Sequence, residues 1–180
     1  LSVIVFGQDS VYLCWAQWQE GIDLNRTGLL LRLELSTNPE ILSVVRSAMM
    51  RLAEELGFPA PDCRSLTRAV DEALANVIQH AYGGRPGRPI ELLCRRIQDR
   101  TGGQERRALE IVLQDQGVCA NRKKLCGRSL DDVRPGGLGM HFIQEAVDVM
   151  QYSRRSGKNQ LRLVKYLPAA ESEPEIAKGE

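Results

Sequence analysis

Apolar residues recur along the chain with two periods, and these divide it into sheet-like and helix-like segments. From 29 to 35, Leu29, Leu31, Leu33 and Leu35 alternate with Leu30, Arg32 and Glu34, the period of a strand with one covered face. Ser36-Thr37-Asn38-Pro39-Glu40 then reads as a helix start, with Asn38 as cap and Pro39 suited to the first turn. Ile41, Leu42, Val44, Val45, Ala48, Met49, Leu52 and Leu56 follow at helical spacing until Gly57 and Pro59 end the run. A second helix starts near Pro61 or Asp62 and ends at Gly83-Gly84. Its residues Leu66, Ala69, Val70, Ala73, Leu74, Val77, Ile78 and Ala81 form one buried face. Segments 90–97 and 108–113 read as a hairpin around a polar connection containing Thr101-Gly102-Gly103. Gly136-Gly137-Leu138-Gly139 runs into a helix over 140–150, with Ile143, Ala146 and Val147 toward the core. Segments 149–154 and 161–166 pair around Ser156-Gly157-Lys158-Asn159. The predicted order is strand, two helices, hairpin, loop, helix, hairpin.

A chain of 180 residues fits one domain with a good core and short extensions. The formal charge of +1, from 24 basic and 23 acidic side chains, gives no global field for nucleic acid or a membrane surface. Arg95, Arg96, Arg100, Arg106 and Arg107 gather near the first hairpin and read as a solvated rim, because no aromatic residues interleave with them. Cys14, Cys63, Cys94, Cys119 and Cys126 form no CxxC pair, and His80 and His141 add no metal-ligand spacing. The odd cysteine count and the lack of an export signal point to a reducing cytoplasm. No apolar run is long enough to cross a bilayer. Residues 1–28 stay open between short strands at 3–6 and 11–18, a partner-binding arm and a poorly ordered leader; the first residue, Leu1, fits a fragment or processed chain. The acidic stretch 168–180, with Glu171, Glu173, Glu175 and Glu180, reads as a loose tail.

Candidate chemistry concentrates at three separated places. On the second helix, Glu72, Asn76 and His80 are spaced i, i+4, i+8 along the edge of the buried face. A carboxylate and a carboxamide one turn apart can handle a proton and coordinate a hard cation such as Mg²⁺. Asp115, at the end of a strand, can accept a hydrogen bond from an exocyclic amine, which favours adenine over guanine, and Gly117 lets a flat base approach the backbone. Gly137, Leu138 and Gly139 lie where backbone N–H groups at a helix start can meet phosphate. The 116–136 connection is long for a passive tie and carries Arg122, Lys123, Lys124 and Arg128, any of which can stabilise transferred charge. Each fragment alone also occurs in ordinary turns and helix flanks; their order and contexts make the nucleotide site.

The stretches DEALANVIQHAY, LQDQGV and PGGLGM, followed by LRLVKYL, resemble the adenine-nucleotide-binding domain of histidine kinases, Hsp90, type II topoisomerases and MutL. Over 29–167 the resemblance is strongest to the bacterial anti-sigma factor serine/threonine kinases that regulate sporulation and stress responses. It implies an α/β (α+β) two-layer sandwich of Bergerat type, with a mixed, mostly antiparallel sheet and helices on one face. It also implies ATP and Mg²⁺ as cofactors, homodimerisation, sequestration of a sigma factor, and phosphorylation of an anti-anti-sigma STAS-domain protein. Carried over by position, Glu72 is the catalytic glutamate, Asn76 the magnesium ligand, Asp115 the adenine-reading aspartate, and Gly117, Gly137 and Gly139 the motif glycines. The carry-over makes Glu72 the acceptor of the Ser or Thr hydroxyl proton. His80 and Tyr82 match family positions that also suit structural roles.

Two departures from the family pattern stand out. Cys119 replaces a usual second glycine, and Asn159 lies near where many relatives place a threonine that contacts the phosphates, a position from which its amide can still donate a hydrogen bond to the nucleotide. The competing reading is a noncatalytic anti-sigma module with regulatory ATP binding, with Cys119 as the residue in its favour. A DNA-binding regulator lacks a recognition helix, and a histidine kinase would need sensing and phosphoacceptor domains that this length does not accommodate.

Overall fold

A computed structural model of the chain describes residues 3–7, 10–14, 28–99, 106–119 and 138–168, with side chains over 28–98, 106–119 and 139–168. In chain order the elements are β1 (Val3–Gly7), β2 (Ser10–Cys14), β3 (Leu29–Ser36), α1 (Ile41–Glu55), α2 (Ala60–Asn76), β4 (Pro89–Asp99), β5 (Arg106–Asp115), α3 (Leu138–Ala146), β6 (Val149–Arg155) and β7 (Lys158–Tyr166). The strands form one seven-stranded sheet in the order β2-β1-β6-β7-β5-β4-β3. Every described pairing is antiparallel. Helices α1, α2 and α3 cover one face, giving the two-layer α/β sandwich of Bergerat type. Within 1–28, β1 extends the sheet by pairing Ile4, Val5 and Phe6 with Tyr152, Gln151 and Met150. The 101–103 connection and the 169–180 tail lie outside the described residues.

The core forms where the two periods meet. Leu92 and Cys94 of β4, Leu109, Ile111 and Leu113 of β5, and Leu163 of β7 meet Val45, Met49 and Ala53 of α1 and Leu66, Val70 and Leu74 of α2. Fully burying a leucine-sized side chain is worth about 1.5–3 kcal/mol, so this shared layer fixes α2 on the sheet. The α1 stripe is narrower than the sequence predicts. Val45, Met49 and Ala53 set its centre, and Val44, one residue and about 100° away, is 58% exposed. The arginines near the first hairpin also do not form one rim. Arg95 is buried and pairs with Glu110, which also accepts a 2.6 Å bond from Arg162 Nε, whereas the Arg106 guanidinium lies 4.0 Å from the centre of the Tyr166 ring. Strand alternation separates Arg95 from Arg96 and turns a predicted patch into a buried ion pair.

Cys94 lies in the core with its Sγ 3.6 Å from Met49 Sδ, and burial pushes its thiol from the ordinary 9.0 up to about 12. The unfolded chain therefore loses this proton first as pH rises. Stability should fall from pH 9.0 towards about 12 because the unfolded state binds fewer protons there. Urea midpoints measured across that range should drop less steeply in Cys94→Ala than in the unmutated protein.

Candidate active site

Helix α2 begins after Pro59, with proline in its first turn and Asp62 near its N-terminus, where a negative charge suits the unpaired N–H groups. Regular α geometry lasts to Asn76, after which Val77–Ala81 form a π turn. There Tyr82 N–H donates to the carbonyl of Val77 across five residues at 3.0 Å. The wider turn breaks the i, i+4, i+8 line. Glu72 and Asn76 remain half-buried, whereas His80 is exposed and lines a surface depression of about 640 Å³ with Arg85, Arg88 and Arg154. The π turn also leaves the Ala81 carbonyl to accept the N–H of Val118 at 2.8 Å, which fastens the turn after β5 to the end of the helix. Tyr82 secures the same junction: its hydroxyl donates to Pro89 O at 2.7 Å and accepts from Gln116 N–H at 2.8 Å. Its role is structural.

The predicted proton and cation groups come together between α2 and α3. A Cβ on Gly139 would stand 2.6 Å from Glu72 Oε2 and 3.8 Å from Asn76 Nδ2, so α3 approaches these side chains as closely as a glycine allows. Asn76 Nδ2 points to Met140 Sδ at 3.8 Å, which leaves its Oδ1, the harder donor, for another partner. Arg68 lies with its guanidinium carbon 3.4 Å from the centre of the Phe142 ring, and buried Ile143 and Ala146 complete the seating of α3 on α2. Of the glycine loop, Gly139 is thus beside Glu72 and Asn76, Leu138 is described through its backbone alone, and Gly137 lies outside the described residues. So do Arg122, Lys123, Lys124 and Arg128.

On the sheet side, Asp115 is 7% exposed, and its Oδ1 accepts from Gly117 N–H at 2.8 Å and from Asn159 Nδ2 at 2.7 Å. Both bonds fall on one oxygen, which leaves Oδ2 as an acceptor. Gly117 also has a packing reason to lack a side chain: a Cβ there would clash with the Ala81 carbonyl oxygen. The structure moves Asn159 from the connection into a strand. Ser156 and Gly157, with φ of 49° and 81°, make a two-residue hairpin turn between β6 and β7. Asn159 therefore falls inside β7, in register with Asp115 on one side and Arg154 on the other, instead of in the connection between the strands. It is 1% exposed, and its Nδ2 also reaches the carbonyls of Gly117 and Val118, each at 3.3 Å. Arg154, which the sequence did not single out, donates from Nη1 to Asn159 Oδ1 at 2.7 Å and to Gly117 O at 2.8 Å. Cys119 is exposed on the same turn, 3.7 Å from the Tyr152 hydroxyl.

A purine with an exocyclic amine and a magnesium ion fit this donor set. Asp115 has a second, shielded carboxylate oxygen able to accept an amine N–H, and the Asn76 carboxamide, which shares the approach of Gly139 with Glu72, has a carbonyl oxygen of the kind a hard cation takes. Among the described residues, no group of three or more His, Cys, Asp or Glu could hold a metal ion, and no helix is long and apolar enough to cross a membrane.

Comparison with known proteins places the chain in a family. Residues 35–165 match the family described as "Histidine kinase-like ATPase domain". The serine-protein kinase RsbW of Bacillus pumilus is 27% identical over 144 residues, covering 74% of this chain and 84% of that protein. RsbW of Bacillus subtilis is 23% identical over 145 residues, covering 76% and 85%. The serine/threonine-protein kinase BtrW of Bordetella bronchiseptica is 33% identical over 108 residues, covering 57% and 69%. Among solved structures, the RsbU and RsbW domains of Rv1364c from Mycobacterium tuberculosis share the fold, with a TM-score of 0.50 at 15% identity over 78% of this chain and 34% of that one.

Proposed function

The chain belongs to the histidine kinase-like ATPase domain family, and from that premise we propose that it is an ATP-dependent protein serine/threonine kinase of anti-sigma type. In this reading it phosphorylates an anti-anti-sigma STAS-domain protein and sequesters a sigma factor. The observation that carries the proposal is that Gly139 of α3 lies against Glu72 and Asn76 on the same helix whose end, through the Ala81 carbonyl, holds the turn that bonds Asp115. The relatives named serine-protein kinases supply the reaction class. Asp115 Oδ2 accepts from the exocyclic amine and orients the base. Asn76 Oδ1 would be the side-chain ligand for the cation. Glu72 takes the proton from the attacking Ser or Thr hydroxyl as the phosphoryl group is transferred. Magnesium, when bound, neutralises charge on the phosphates. Homodimerisation belongs to the same reading; the edge strand β3 exposes Leu29 at 41% and Leu30 at 39%.

Calorimetric titration of nucleotide-stripped protein with ATP, with and without Mg²⁺, tests the site. The proposal expects binding that Mg²⁺ tightens, and expects Asn76→Ala to lose about tenfold or more of the Mg-dependent affinity. A folded protein that binds no ATP would remove the basis for the assignment.

A further inference from the structure

We propose that Arg154 is a positioning residue that sets the preference of the site for a 6-amino purine. It does so by fixing the Asn159 amide and, through it, the Asp115 carboxylate. The inference rests on the reading of Asp115 as the adenine-contacting group. Arg154, Asn159 and Asp115 stand side by side on β6, β7 and β5, in direct register. A guanidinium has donors only, so the side-chain oxygen of Asn159 must face Arg154 Nη1, 2.7 Å away. The amide nitrogen then has to face Asp115 Oδ1, and it does so at 2.7 Å. The opposite rotamer would set NH₂ against the guanidinium and a carbonyl oxygen against the carboxylate, two repulsive contacts around a side chain that is 1% exposed. With Asn159 Nδ2 and Gly117 N–H both on Oδ1, Oδ2 is the acceptor left for an incoming N–H. The second Arg154 bond, to Gly117 O at 2.8 Å, anchors the turn that carries that N–H. Arg154 itself is an exposed residue at the end of a hairpin, so replacing it leaves the core intact.

Without Arg154 the Asn159 oxygen loses its donor and the Gly117 carbonyl loses its anchor, so the amide and the turn that together hold Asp115 Oδ1 loosen, and the carboxylate orientation that an amine requires is no longer fixed. The discriminating probe is inosine triphosphate, whose 6-oxo group is an acceptor where ATP has a donor. Calorimetry should show Arg154→Met lowering ATP affinity about tenfold while inosine triphosphate affinity changes little, so that the preference for ATP falls by about the same factor. Arg154→Lys, which keeps a charged donor on a shorter stem, should recover part of the preference. Thermal unfolding of the three proteins is measured alongside. An unchanged ATP to inosine triphosphate ratio overturns the inference, whether both affinities hold or both fall together with the unfolding midpoint. If the unmutated protein prefers ATP and Arg154→Met retains that preference, only this inference fails; if the unmutated protein binds neither nucleotide, the site assignment fails with it.

Discussion

Glu72→Gln should bind ATP much as the unmutated protein does while transferring phosphate about 10²- to 10⁴-fold more slowly, the usual cost of losing a positioned proton acceptor. Glutamine keeps the size of the side chain and one of its oxygens, so the close approach of Gly139, whose Cβ would sit 2.6 Å from Glu72 Oε2, is retained. What disappears is basicity. Glu72 is half-buried on the last regular turns of α2, held by a helix whose neighbouring residues Ala69, Val70, Ala73 and Leu74 are all buried, so the substitution should leave the scaffold in place. Initial phosphorylation rates at saturating ATP, set beside affinities from titration, separate the two effects. Equal rates for both proteins under conditions where chemistry is limiting would show that Glu72 is not the base.

Gly117→Ala should lower ATP affinity by one to two orders of magnitude. The added Cβ would meet Ala81 O at 2.4 Å, Ala81 C at 2.6 Å and Ala81 Cβ at 2.8 Å. Two of these are backbone atoms of a π turn that also accepts the Val118 N–H, so no side-chain rotation relieves the clash. Overpacking of this kind costs about 1–3 kcal/mol. The cheapest escape moves the 116–119 turn away from the helix, which withdraws the Gly117 N–H from Asp115. If the binding-competent arrangement becomes a minor population, apparent affinity falls by that fraction, about 10- to 100-fold. Titration should record the loss while the circular dichroism spectrum stays native. Unmodified ATP affinity would mean that the turn does not form the base site.

The sequence carried most of the scaffold because periodicity is a local property. The run from Leu66 to Ile78 is buried as its spacing predicts, and Leu109, Ile111 and Leu113 face the helices as alternation requires. Glu72, Asn76, Asp115, Gly117 and Gly139 could be picked out because residue type and position coincide in each. Two of these glycines also have packing reasons that the sequence does not show: Gly117 admits the Ala81 carbonyl and Gly139 admits the Glu72 carboxylate. The π turn has no sequence signal because nothing in Val77–Ala81 departs from helical spacing; it shows in the Tyr82 N–H bond to the Val77 carbonyl and in the Ala81 carbonyl left for Val118. The placement of Asn159 turned on hairpin length. A four-residue connection leaves it in a loop, whereas the observed two-residue turn at Ser156 and Gly157 sets it opposite both Asp115 and Arg154. Arg154 became visible only with that register.

The central claim is that this site transfers phosphate to a protein hydroxyl, and one assay addresses it directly. Purified protein is mixed with γ-labelled ATP, Mg²⁺ and a STAS-domain anti-anti-sigma protein shown to form a complex with it, and the partner is analysed for label on Ser or Thr. The proposed mechanism predicts labelled partner that accumulates with time and is lost with Glu72→Gln. Tight ATP binding and a verified complex with no label on the partner would contradict it and leave a noncatalytic binding module.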